Sequence, residues 1–157
     1  MLPVCLGAKQ NDLPPVTRDR PLQPGSLQAL LGYRLRIAQQ AVFRDFAASV
    51  GEISPGRFGL LVLIEANPGV TQSRLARAVH LDRSTMVGVI HALEGEALVE
   101  RRRGEDRRTN GLWLTRGGRA LLARLKRRIE LHERRIAARL TQGERAQLIE
   151  LLEKFSA

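Results

Sequence analysis

Apolar residues start to recur at helical spacing just after Ser26. Leu27, Leu31, Leu35, Ala38, Val42 and Phe46 follow one another at steps of three or four, and Leu30, Tyr33, Ile37 and Ala41 form a second flank. With Ser26 as N-cap, the pattern predicts one long amphipathic helix ending near Gly51. Its apolar face is wider than one small domain needs to cover, so partner helices are expected. Ser54-Pro55 supplies a cap and an N1 proline for a second helix, largely buried through Phe58, Leu60, Leu61, Leu63 and Ile64 and stopped by Asn67-Pro68-Gly69.

Thr71 then caps a short third helix through Ala78, with Leu75, Ala76 and Val79 inward. His80-Leu81-Asp82 reads as a tight turn, and Asp82 caps a fourth helix from Arg83 to about Ala97 whose inward stripe is Met86, Ile90, Leu93 and Ala97. A short helix, a tight turn and a longer helix make a helix-turn-helix. The texture changes at Leu98, where residues 98–103 and 109–114 read as two strands of a hairpin with a charged tip at 104–108. Asn110-Gly111 is a competing turn signal, but a turn there would leave only Leu112 to Leu114 as the return strand.

Thr115 caps the next helix, where Leu122, Leu125, Ile129, His132 and Ile136 keep the 3-4-3-4 spacing of helices packed lengthwise. Thr141-Gln142-Gly143-Glu144 is a capping box for a last amphipathic helix carrying Leu148, Leu151, Leu152 and Phe155. The chain divides accordingly into a Pro-rich arm (1–25), an N-terminal helix (26–52), a central winged region (53–115) and C-terminal helices (116–157). Its 157 residues suffice for one domain plus helices that pack on a second copy.

Charge sharpens the picture. The net charge is +10, and Val99 to Arg139 carry 14 Lys and Arg against 5 Asp and Glu, whereas the other 116 residues carry 12 against 11. One positive block calls for a polyanionic partner. Aromatic residues are sparse at 4%, which argues against the base-stacking platforms of single-strand and RNA binders and leaves duplex DNA. No apolar run approaches the roughly 20 residues of a membrane span. The opening Met1-Leu2-Pro3-Val4-Cys5-Leu6 lacks a basic n-region, so a cytoplasmic location is expected. Cys5 is either an incidental thiol or a redox switch. His80, His91 and His132 have no Cys neighbours, and no catalytic triad or phosphate-binding glycine loop is present. A binding protein with no cofactor and no metal is expected rather than an enzyme.

Three motifs in register complete the reading. Leu93-Glu94-Gly95-Glu96-Ala97-Leu98-Val99-Glu100-Arg101, Asp106-Arg107-Arg108 and Leu112-Trp113-Leu114-Thr115-Arg116-Gly117-Gly118 resemble the recognition-helix exit, the D-x-R wing tip and the return strand with its L-T-x-x-G cap of the multiple antibiotic resistance regulator (MarR) family. Ala97 departs from the pattern, standing where the family has glycine. The resemblance implies a mainly α fold: a winged helix-turn-helix with long N- and C-terminal dimerisation helices. It further implies a homodimeric regulator that binds a palindromic operator in double-stranded DNA, usually as a repressor.

A recognition helix presents the face opposite its core stripe, which leaves Arg83, Ser84, Thr85, Val87, Gly88 and His91 for the major groove. Arg83 can fork onto guanine, Ser84 and Thr85 can donate or accept, Val87 can touch a thymine methyl, and His91 is equally well a plain surface residue. Thr71, Gln72 and Arg74 at the third helix's start suit phosphates. The resemblance puts Arg108 in the minor groove with Asp106 steadying it, and leaves Arg107 as a phosphate contact or a solvated charge. Family members also bind small lipophilic anions in a cleft, which by resemblance would draw on Tyr33, Arg34, Ile37, Phe58, Trp113 and His132 and would suit an aromatic acid or its thioester. The rival reading is an architectural protein that coats DNA of any sequence, with no effector.

Overall fold

The computed structural model describes residues 21–103 and 110–156. The order is a 3-10 turn (Gly25–Ala29), α1 (Leu31–Ser49), α2 (Pro55–Ala66), β1 (Val70–Thr71), α3 (Gln72–Ala78), α4 (Arg83–Gly95), β2 (Val99–Arg103), β3 (Asn110–Leu114), α5 (Arg116–Ile136) and α6 (Gln142–Ser156). Contacts divide the chain into two units, residues 1–35 and 36–157.

In the first unit the sequence expectation needs correction. Ser26 does not cap a long helix: it lies inside the 3-10 turn, and Leu30 is extended (ψ 121°), so α1 starts at Leu31. Leu27 and Leu31 keep their helical spacing across this break, because apolar periodicity is blind to a single extended residue.

In the second unit the caps act as read. Ser54 Oγ accepts from the Arg57 amide, Asp82 from that of Thr85, and Thr115 from that of Gly118. Thr141 and Glu144 bond reciprocally, with Thr141 N donating to Glu144 Oε2 (2.8 Å) and Glu144 N to Thr141 Oγ1 (3.2 Å). Thr71 is the exception. It stands at the N-cap position of α3 but its side chain accepts nothing there. Instead its backbone belongs to β1, a strand of two residues paired antiparallel to β3 (Val70↔Leu112, Thr71↔Gly111). Two residues are too few to show alternation, and this strand was not legible beforehand. The sheet order is β1-β3-β2. The β2–β3 ladder runs to Arg103↔Asn110, so Asn110-Gly111 is strand, and the tip expected at 104–108 lies outside the described residues.

The core is built from the stripes that define the elements. Leu60, Leu61 and Ile64 of α2, Leu75 of α3, Met86, Ile90 and Leu93 of α4, Leu112 and Leu114 of β3, and Leu122 and Leu125 of α5 are all buried, with Phe46 and Val50 from the end of α1. Ala97 is not part of the α4 stripe: it is exposed, beyond the helix, at φ +54°. The Leu98 amide donates to Leu93 O and the Ala97 amide to Glu94 O, both at 2.9 Å, so α4 closes in a Schellman motif with alanine at the left-handed position. His80 (φ +52°) does the same for α3, with Leu81 N donating to Ala76 O at 3.0 Å.

A left-handed L-residue costs about 1–2 kcal/mol, part of which glycine returns as lost chain entropy. Ala97→Gly is therefore expected to raise stability by about 0.5–1 kcal/mol, read as a higher denaturation midpoint at fixed protein concentration.

Candidate nucleic-acid interface

The reading head is set by α3 and α4. Between them and β2 lies an open groove of about 630 Å³ whose lining includes Thr71, Gln72, Arg77, Arg83, Val87 and Arg101. Thr71, Gln72, Arg83 and Val87 were expected at the interface. Arg74, Ser84, Thr85, Gly88 and His91 are exposed on the same two helices but do not line the groove itself. Asp106, Arg107 and Arg108 lie outside the described residues.

Sequence reasoning passed over Arg77 and Arg101. Alternation along β2 places Arg101 on the face that begins with buried Val99, so it reaches back over α4, and its Nε lies 2.9 Å from Glu94 Oε1. The period-2 pattern of the Val99–Arg103 run carries that signal. Arg77 ends a helix whose inward residues, Leu75 and Ala76, were recognised, so its outward placement was available too.

The first turn of α4 is organised by Asp82. Its Oδ1 accepts from the Thr85 amide (2.8 Å) and the Ser84 hydroxyl (2.5 Å), and its Oδ2 accepts from the Thr85 hydroxyl (2.5 Å). These bonds, that of Ser84 foremost and those of Thr85 next, hold the Asp82 carboxyl well below the usual carboxylate range. Both hydroxyls expected to face DNA thus have a partner already.

The residues proposed for a ligand cleft are distributed over several sites. Tyr33 and Arg34 belong to the first unit, where Arg34 Nε donates to Gln28 O (2.8 Å). Ile37 is exposed on α1. Phe58 lines an apolar cavity of about 520 Å³ together with Arg57, Val62, Leu63, Val79, Leu81 and Val89. Neither Trp113 nor His132 reaches that cavity. Trp113 lies on the sheet face opposite Leu112 and Leu114, where its ring covers Gly69 and Gly111 and the Arg102 guanidinium sits 5.7 Å from the ring centroid. A Cβ on Gly69 would lie 2.9 Å from that ring, which makes glycine the residue the packing requires there. His132 is 3% exposed, bonded through Nδ1 to Asp45 Oδ1 (2.7 Å) and edge-on to Phe46 (5.4 Å between ring centroids). Arg135 also binds Asp45, and the bonds from Arg135 and then His132 hold the Asp45 carboxyl at about 2, ionised throughout the neutral range.

Much of the basic surface of α5 is used internally. Arg124 and Arg128 both bind Glu52, Lys126 binds Glu65 (2.8 Å) and Arg135 binds Asp45, tying α5 to the end of α1 and to α2. By contrast Ile37 and Phe43 of α1 and Leu148, Ile149, Leu151 and Phe155 of α6 are exposed apolar residues. No helix among the described residues is long and apolar enough to cross a membrane.

Comparison with known proteins gives consistent results. The model of the MarR family matches residues 53–109. A transcriptional regulatory protein assigned to the hcr operon of Thauera aromatica is 39% identical over 135 residues, which are 83% of this chain and 81% of that one. The transcriptional repressor CouR bound to a 23-mer DNA duplex superposes with a TM-score of 0.83 at 38% identity, over 88% of this chain and 100% of the other. CouR bound to p-coumaroyl-CoA gives 0.81 at 37% identity, over 87% and 98%.

Proposed function

Because the chain belongs to the MarR family of winged helix-turn-helix transcriptional regulators, we propose that it is a homodimeric repressor that leaves a palindromic operator when an aromatic acid or its thioester binds. The observation that carries DNA reading is the exposed face of α4, where Arg83, Ser84, Thr85, Val87, Gly88 and His91 lie opposite the buried Met86, Ile90 and Leu93, beside the groove that Arg77 and Arg101 line. An α-helix with such a face fits a major groove, and a two-fold pair of them fits half-sites one helical turn apart. The second copy covers the apolar residues left exposed on α1 and α6. Repressor and operator meet in the cytoplasm, and no catalytic step is involved.

For the effector, the supporting observation is the Phe58 cavity. At about 520 Å³ it falls in the ordinary size range of ligand sites, roughly 300–1,000 Å³. Its walls are apolar, and Arg57 adds a guanidinium whose Nη2 binds Glu96 (2.5 Å) and whose Nε is buried with no hydrogen-bond partner among the described residues. A flat ring with an anionic or thioester end matches that combination. CouR, bound to p-coumaroyl-CoA in one structure and to DNA in another, makes aromatic acyl thioesters the first compounds to try.

Gel shifts against the DNA upstream of the protein's own gene, with non-specific competitor, test the reading. A regulator is expected to prefer one palindrome by about a thousandfold or more over bulk DNA. Equal affinity for every duplex would instead identify an architectural protein. Addition of p-coumaroyl-CoA and of free aromatic acids then tests release, and a screen in which none raises the melting temperature or frees the DNA refutes the effector assignment.

A further inference from the structure

We infer that Asp82 decides which bases the recognition helix can read, by fixing the Ser84 and Thr85 hydroxyls as hydrogen-bond acceptors toward DNA. The inference rests on the DNA-reading function proposed above and adds to it a specificity-determining role for a residue whose evident task is to cap α4.

An ionised carboxylate has only lone pairs, so a hydroxyl bonded to it must spend its single hydrogen there. Ser84 Oγ and Thr85 Oγ1 each lie 2.5 Å from an Asp82 oxygen, Oδ1 and Oδ2 respectively. Both side chains are nevertheless exposed, so what they offer outward is lone pairs alone. A free serine or threonine hydroxyl pairs with either donors or acceptors and discriminates poorly between bases. Anchored in this way, it becomes selective. In the major groove the donors are adenine N6 and cytosine N4, while guanine and thymine present acceptors at the corresponding positions. An acceptor set against an acceptor leaves both groups desolvated and unpaired, which penalises the wrong base more than a missing contact would.

The neighbouring residue has the opposite character. Arg83 lines the groove and is donor-only, so the first turn of α4 offers a donor followed by two acceptors. A G·C pair answers that order on its two strands, guanine to the arginine and cytosine N4 to a hydroxyl. Asp82 is therefore a positioning residue that acts through Ser84 and Thr85 without itself touching a base.

Asp82→Asn tests this because asparagine caps helices as well as aspartate but replaces one carboxylate oxygen by a donor NH2 group. Its amide nitrogen would bond a hydroxyl as donor and release that hydroxyl's hydrogen toward DNA. The measurement is a competition titration at one salt concentration against duplexes with each half-site position substituted by all four bases. For the wild type, one or two positions are expected to favour adenine or cytosine on the contacted strand by about tenfold. In Asp82→Asn that ratio falls toward one or inverts at those positions, while preferences elsewhere in the half-site stay as they were. Removing a negative charge near DNA also tightens binding to every duplex alike, and a uniform change with an unaltered base profile overturns the inference. Thr85→Val, which keeps the shape and deletes the hydroxyl, serves where Asp82→Asn does not fold. It should flatten the profile at its own position, and an unchanged profile in it is equally fatal. A wild type with no base preference at all would refute the DNA-reading function rather than this refinement of it.

Discussion

Alanine at both Arg83 and Arg108 is expected to weaken binding to the palindromic operator by about a hundredfold or more, and Arg83→Ala alone should leave the melting temperature unchanged. In the proposed function the two arginines serve different grooves. Arg83 is exposed at the start of α4 and lines the groove of the reading head, where a guanidinium can fork onto guanine O6 and N7. Arg108 belongs to the D-x-R stretch that resembles the family's wing tip, and a narrow A·T-rich minor groove attracts an arginine there electrostatically. One good bidentate contact discriminates by about 1–3 kcal/mol, and each 1.4 kcal/mol is a factor of ten, so two contacts per subunit exceed a hundredfold comfortably. Stability is spared because the Arg83 side chain makes no bond to another described residue that the fold depends on: the α4 cap is carried by Asp82 and the Thr85 amide. The single variants separate the roles. Arg83→Ala should relax base preference at one position per half-site, whereas Arg108→Ala should lose affinity mainly for A·T-rich flanks and flatten the salt dependence. A double variant within threefold of wild type at the same salt concentration would remove the basis for both assignments.

The parts of this fold that were legible in the sequence are those set by local chemistry. Ser54, Asp82, Thr115 and Thr141 cap the helices they were expected to cap because a short side-chain acceptor beside unpaired amides has few other uses. Met86, Ile90 and Leu93 are buried because consecutive steps of four and three residues put them on one face of the helix. What escaped is what depends on distant partners. β1 exists only because Val70 and Thr71 meet Leu112 and Gly111, which lie 42 and 40 positions further along the chain. The packing of Trp113 is of this kind: strand parity turns it from the core face that Leu112 and Leu114 occupy and lays it on two glycines, one of them distant in sequence. The site shows the same division. The outward residues of α4 could be found by subtracting the core stripe, but nothing in their spacing tells that two of the hydroxyls are already engaged by the capping aspartate.

Packing also suggests how the two proposed sites communicate. Leu81 is the residue after the left-handed His80, so its position is fixed by the Schellman closure of α3. Its side chain lines both the groove of the reading head and the apolar cavity of Phe58. Under the effector proposal, a ligand filling that cavity would meet Leu81 in the turn between α3 and α4, directly before Arg83, Ser84 and Thr85 at the start of α4. Differential binding of this kind is what an effector needs, since a ligand shifts an equilibrium only by its preference for one of the two states.

Gly118→Ala is expected to destabilise the protein by about 3 kcal/mol, against the ordinary rule that alanine is the better helix former by about 1 kcal/mol. Gly118 lies buried in the first turn of α5, its amide donating to Thr115 Oγ1 at 2.9 Å. The same hydroxyl donates to Ala97 O (2.6 Å) and the Thr115 amide donates to Leu98 O (3.1 Å), so the start of α5 is fastened to the connection between α4 and β2. A Cβ on Gly118 would collide with the Leu98 carbonyl, which is backbone and cannot swing away as a flexible side chain could. Relief requires α5 to move off that carbonyl, which breaks the Thr115 bonds and opens the core at Leu122 and Leu125, both fully buried one and two turns further on. Gly117→Ala is the matched control. Its Cβ would lie 3.4 Å from Ala97 O, within tolerable contact, so helix propensity should prevail and stability should hold or rise slightly. Thermal and denaturant unfolding of the two variants at equal protein concentration decides the matter. The account of this junction fails if Gly118→Ala unfolds at the wild-type midpoint, or if the two alanines cost the same.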